Sequence, residues 1–121
     1  MSVITNIARQ RVLDLLKNEI THVGIGDGGI PSESSTHLNG ELLRKPAKIE
    51  IDDEMIVVSA TWNENEGNGI TYKNAGCFCN GATDEIGTGE LFTGNSINVV
   101  KDGSQSMNIL IGIGVEVMSD V

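Results

Sequence analysis

The sequence predicts a mainly β protein: an antiparallel β-sandwich or partly closed barrel with one N-terminal amphipathic α-helix. Three observations predict it. About seven short runs, alternating or rich in β-branched residues, follow one another at spacings of roughly ten residues. Gly, Asn and Asp cluster between those runs, where tight turns need them. Only the first segment repeats its apolar residues every three to four positions. A length of 121 residues suits one domain with one core, so 1–121 is read as a single unit, helix in 1–18 and β domain in 20–121.

The helix is expected from Val3 to Lys17, with Ser2 as N-cap and Asn18 as stop. Ile4, Ile7, Ala8, Val12, Leu15 and Leu16 form its apolar stripe, and Arg9, Gln10, Asp14 and Lys17 its polar side. A short strand, Ile20–Ile25, runs into the longest polar connection, a Gly- and Ser-rich surface loop through Thr36. Over Leu38–Lys45, Glu41 and Arg44 are three apart; on a helical turn they would be neighbours, a surface pair worth under about 1 kcal/mol.

Lys48–Ile51 and Met55–Trp62 read as two strands joined by the acidic turn Asp52-Asp53-Glu54. After the polar loop Asn63–Gly69, a strand covers Ile70–Cys79, with a bulge or close backbone approach at Ala75-Gly76. Glu90–Thr93 is a brief strand and Gly94-Asn95 a turn, with Ile97 and Val99 continuing the sheet. Lys101–Ser104 carries the Asp-Gly hairpin signal. In the last strand Ile109, Ile111, Ile113, Val115 and Val117 share one face, while Gly112 and Gly114 leave the other bare for a close neighbour.

Composition excludes several functions. The net charge is −9, from 17 acidic and 8 basic residues, which opposes nucleic acid and anionic membrane as partners. No run of 18 apolar residues is present, so no membrane insertion is expected. The start MSVITNIARQR lacks the basic and apolar regions of a secretory signal, so the chain is expected to be made and kept in a cytoplasm unless it leaves within a larger particle. Aromatic residues are only 3% of the chain, so its core is built mainly from aliphatic side chains.

Gly24-Ile25-Gly26-Asp27-Gly28-Gly29 matches the G-x-G-x-x-G dinucleotide fingerprint. The match lacks its context. No helical periodicity follows Gly29, and Asp27 would repel phosphates, so the segment is read as a strand end and loop. Cys77 and Cys79 are one residue apart, poorly placed for a disulfide or a zinc site, and are read as small buried residues. His22 and His37 are the only histidines, and nothing around them resembles a nucleophile elbow. Loop carboxylates at Asp27, Glu33, Asp52, Asp53, Glu54, Asp84 and Glu85 match no calcium-binding register. No catalytic residue, metal or cofactor is expected; the composition points to an interaction or structural module.

In order along the chain, Asn6-Ile7-Ala8-Arg9-Gln10, Ile20-Thr21-His22 leading to Gly24, Gly26 and Gly28, and the spaced set Thr36, Leu38, Glu41, Arg44 form one series. Asn65-Glu66-Gly67-Asn68-Gly69, Asn74-Ala75-Gly76-Cys77-Phe78, Leu91-Phe92 and Lys101 complete it. The series resembles small virion proteins of tailed viruses, placed with tail-collar, tail-fibre and baseplate proteins. It departs from them at Asn74, where the family has glutamate, and at Thr93-Gly94, where a basic residue is absent. An ion pair between those family positions would here be lost, or replaced by Asn74 hydrogen bonds.

The resemblance implies a non-enzymatic structural subunit in the tail, fibre or collar apparatus of a virion. It would be made in the host cytoplasm and assemble with itself, as a homotrimer, and with other virion proteins. Candidate subunit contacts are Gly26, Asp27, Gly28 and Gly29 in the long loop, Glu41, Arg44, Asn74 and Lys101, and Gly112 and Gly114 in the last strand. A capsid decoration protein stabilising the head shell is the alternative, and a small metal-dependent carbohydrate-binding domain the remote one.

Overall fold

A computed structural model of the chain describes residues 3–52 and 54–115. One helix, α1 (Asn6–Glu19), precedes seven strands: β1 (Ile20–Gly26), β2 (Glu41–Pro46), β3 (Lys48–Asp52), β4 (Met55–Trp62), β5 (Ile70–Cys79), β6 (Glu90–Lys101) and β7 (Met107–Gly114). They form two antiparallel sheets, one of four strands in the order β2-β1-β5-β6 and one of three in the order β3-β4-β7. Neither sheet closes on itself, so of the two expected architectures the sandwich is the one formed.

The core lies between the sheets. Val23, Ile25, Tyr72, Ala75 and Cys77 meet Ile56, Val58, Ala60, Trp62, Met107, Ile109 and Ile111 there. The Tyr72 hydroxyl donates to the Gly67 carbonyl at 2.7 Å, so its polar tip is satisfied at the edge of that core.

The helix starts later than expected. Thr5 is the N-cap, its hydroxyl accepting from the Ala8 amide at 3.2 Å, and Ser2 lies outside the described residues. It also runs past Asn18 and passes without a loop into β1. Its buried face is not the expected stripe: Ile7 is 73% exposed and Leu15 69%, while Leu13 is 1% exposed. Ile20 decides the rotation. It enters the core as the first residue of β1, so the helix must bury Leu16 and Leu13, four and seven positions earlier. Arg9 shares that side and reaches Glu54 in the β3–β4 turn at 3.1 Å.

Three further expectations are corrected. Residues Glu41–Pro46 form a strand, not a helical turn. Gly94-Asn95 is no turn but the middle of the 12-residue β6. Lys101–Ser104 does not close a hairpin within one sheet, because β6 and β7 belong to different sheets. Asp102 instead accepts from the Ser104 amide at 2.8 Å in a turn that carries the chain across the sandwich. The β3–β4 hairpin and the facing of β7 are as read, with Met107, Ile109 and Ile111 buried; Asp53, Glu116 and Val117 lie outside the described residues.

Candidate interaction surface

The four-stranded sheet carries two long connections over its outer face, residues 27–40 and 80–89. A β-bulge places the residue that anchors one of them. Ile25 pairs with Leu43 but Gly26 pairs with Glu41, which leaves Leu42 without an opposite number. In a regular strand, residues three apart point to opposite faces. The bulge turns Glu41 and Arg44 to the same face.

Their ion pair is bidentate: Arg44 Nε to Glu41 Oε2 at 2.7 Å and Nη2 to Oε1 at 2.8 Å. The two side chains are only 0% and 4% exposed, so the expected surface pair is a buried one. The guanidinium lies flat on Phe78, its carbon 4.0 Å from the ring centroid. Nη1 points into the second connection and reaches the Thr83 carbonyl at 3.1 Å, the Thr88 carbonyl at 2.8 Å and the Thr88 hydroxyl at 2.9 Å. His22 Nε2 meets Asp84 Oδ1 at 2.8 Å in the same connection.

The first connection is held by Asn74, which is fully buried. Its Nδ2 donates to the Gly29 carbonyl at 3.1 Å and the Asn39 carbonyl at 2.9 Å. Asn74 thus ties both ends of the first connection to β5. Leu38 is buried beneath the same connection, and the Leu91 amide donates to the Thr36 carbonyl at 3.0 Å.

The glycines of the apparent dinucleotide motif are explained here. A Cβ on Gly24 would strike Glu41 and the Phe78 ring, and one on Gly26 would lie 2.5 Å from the Gly40 carbonyl. They admit side chain and backbone onto the sheet, and no helix follows them to hold a phosphate.

Between the two connections runs a groove of about 620 Å³, lined by Thr36, His37, Leu38, Glu41, Ile86 and Glu90 among others. A second, of about 420 Å³, lies between Pro31–Ser35 and Leu91–Gly94. His22 and His37 bond to Thr21, Asp84 and Thr36, and among the described residues neither bonds a serine or cysteine. Cys77 faces the core, where burial pushes its thiol up to about 11, so at neutral pH it is a protonated, inaccessible group. The arrangement ties both connections to the outer face of the sheet.

Of the ten candidate contacts, seven gather on this outer face: Gly26, Asp27, Gly28, Gly29, Glu41, Arg44 and Asn74. Lys101 does not. It is buried at the far end of β6 and donates to Asn68 Oδ1 at 2.8 Å, which fixes the Asn63–Gly69 loop. Lys45 holds the same loop through Glu66 at 2.6 Å, and that contact, with the Asn63 amide, keeps the Glu66 carboxyl below its usual range. Gly112 and Gly114 lie on the outer face of the other sheet. Reading the sequence missed Phe78, Thr83, Thr88 and Asp84 as anchors, because each acts across 34 or more residues of chain, from Arg44 or from His22, and no local pattern marks them.

Comparison with protein-family models, with curated proteins and with solved structures finds no match to this chain. What the fold itself defines is a two-sheet β-sandwich with an N-terminal helix.

Proposed function

We propose that the chain is a non-enzymatic structural subunit of a tailed-virus particle, assembling with itself and with other virion proteins in the tail, fibre or collar apparatus. One observation carries the reading. Much of the sequence series that resembles such proteins meets on a single face: His22, Gly24, Gly26, Leu38, Glu41, Arg44, Asn74 and Phe78 together anchor the two outer connections. A series scattered through the chain by coincidence has no reason to converge on one cluster. The cluster spends a buried ion pair on making loops rigid, which suits a surface that must fit a neighbour without rearranging.

The test is immunogold labelling of purified particles produced from the genome that encodes the chain, using antibody to the isolated protein. Label at the tail or its fibres is expected. Label spread over the head shell replaces the reading with capsid decoration, and particles free of both label and peptide reject a virion role.

A further inference from the structure

We infer that Asn39, in the turn before β2, is a deamidation site, where the chain converts its own asparagine to aspartate and isoaspartate. Neither a place in a virion nor any partner is needed for it.

Asn-Gly pairs undergo this reaction most readily, because glycine has no side chain to hinder attack by its own backbone nitrogen. That nitrogen gives up its proton and bonds to the asparagine Cγ. The Cγ–Nδ2 bond breaks, and ammonia leaves with the proton. Water then opens the succinimide ring so formed. Opening at Cγ yields aspartate. Opening at the main-chain carbonyl yields isoaspartate, in which the main chain runs through Cβ and Cγ. Nothing is oxidised or reduced, and water is the one co-reactant.

The chain has three such pairs: Asn39-Gly40, Asn68-Gly69 and Asn80-Gly81. All three glycines have positive φ, so the pairs differ in what holds their reacting atoms. Asn68 is held at every point. Its Oδ1 accepts from Lys101 Nζ and its Nδ2 donates to the Glu64 carbonyl, both at 2.8 Å. The Gly69 amide donates to the Lys101 carbonyl at 2.9 Å. Asn80 is held through Nδ2 on Glu90 Oε1 at 2.8 Å, a carboxylate that also opposes loss of a proton nearby. Asn39 is exposed, and among the described residues its one hydrogen bond is at the main-chain carbonyl, from Asn74 at 2.9 Å. Its side-chain amide and the Gly40 N–H have no partner among those residues.

The isoaspartate product does not fit the turn. A Cβ on Gly28 would strike the Asn39 carbonyl, and one on Gly40 would lie 2.7 Å from Asp27 Oδ1 and 3.0 Å from the Gly28 nitrogen. No room is left for the methylene that isoaspartate adds to the main chain. The turn must shift, and with it the 3.3 Å bond from the Asp27 amide to the Gly40 carbonyl. A new carboxylate also arises near Asp27 and Glu41 on a chain already at −9. Deamidation thus loosens the first connection at its β2 end.

Incubation of the intact protein in mildly alkaline buffer, folded and in denaturing urea, tests this by tryptic peptide mapping with isoaspartate detection. Cleavage after Lys17, Arg44, Lys48, Lys73 and Lys101 puts the three asparagines in three different peptides. In urea the three should react at similar rates. In the folded protein Asn39 should be lost first, at least about tenfold faster than Asn68, since reaction at Asn68 must also break its hydrogen bonds. Asn39→Gln should remove most of the accompanying acidic shift on ion exchange while the circular dichroism stays native. Aged wild type should exchange the Asp27 amide faster than fresh Asn39→Asp, which has the charge without the methylene. Folded protein that keeps Asn39 while the urea sample loses it overturns the assignment, as does faster loss at Asn68 or Asn80. Equal exchange in aged wild type and Asn39→Asp overturns the loosening.

Discussion

Arg44 illustrates how much one side chain can organise here. Its guanidinium joins a strand, an aromatic ring and a connection four decades of residues away, with every nitrogen engaged. Burying two opposite charges costs solvation that their attraction repays only when geometry is good, and removing one partner strands the other. Arg44→Met should therefore destabilise the protein by about 3–5 kcal/mol in urea unfolding. Adding Glu41→Gln should recover part of that loss, because the orphaned carboxylate is gone. A single-variant cost below about 1 kcal/mol would mean the pair behaves as an exposed one. Lysine at 44 is a poor substitute, since an ammonium neither forks to Glu41 nor lies flat on Phe78.

At the scale of elements, the helix gives the sharpest contrast. Leu13 and Leu15 are two positions apart and chemically identical, yet one is 1% exposed and the other 69%. Leu13→Ala should cost about 2–5 kcal/mol through lost burial and the cavity left behind. Leu15→Ala should stay within about 0.5 kcal/mol. Chemical denaturation of the two variants side by side decides it, and equal losses would place the helix in a different rotation. The strands follow the same logic. Alternation in β3 and β7 was legible because each has one face on the core and one toward solvent. β1 and β5 are buried on both faces, by the core within and by the connections outside, so alternation there carries less information.

For the whole molecule, the net charge of −9 is the long-range term. Seventeen acidic residues against eight basic ones repel one another within the folded chain. Salt screens that repulsion over about 10 Å at 0.1 M. Raising ionic strength from about 0.01 M to about 0.3 M should therefore raise the midpoint of urea unfolding. A midpoint that falls instead would mean that ion pairs such as Arg9–Glu54 and Lys45–Glu66 outweigh the net repulsion. The sign of the salt effect thus separates net repulsion from local ion pairing.

The sequence by itself determined the β-rich class, the helix at the N-terminus, the β3–β4 hairpin, the inward face of β7 and the strand-end-and-loop form of Gly24–Gly29. Those follow from periodicity, turn chemistry and missing context, all of which are local. Tertiary structure decided which helical stripe is buried, because Ile20 must enter the core. It decided that β6 runs unbroken through Gly94-Asn95, because β5 pairs along both sides of that dipeptide. And it made Glu41 and Arg44 a buried clamp, because a one-residue bulge at Leu42 turns both to one face under connections that close over them from far along the chain. Pairing register and long-range burial are properties of the assembled sheet, and no window of neighbouring residues contains them.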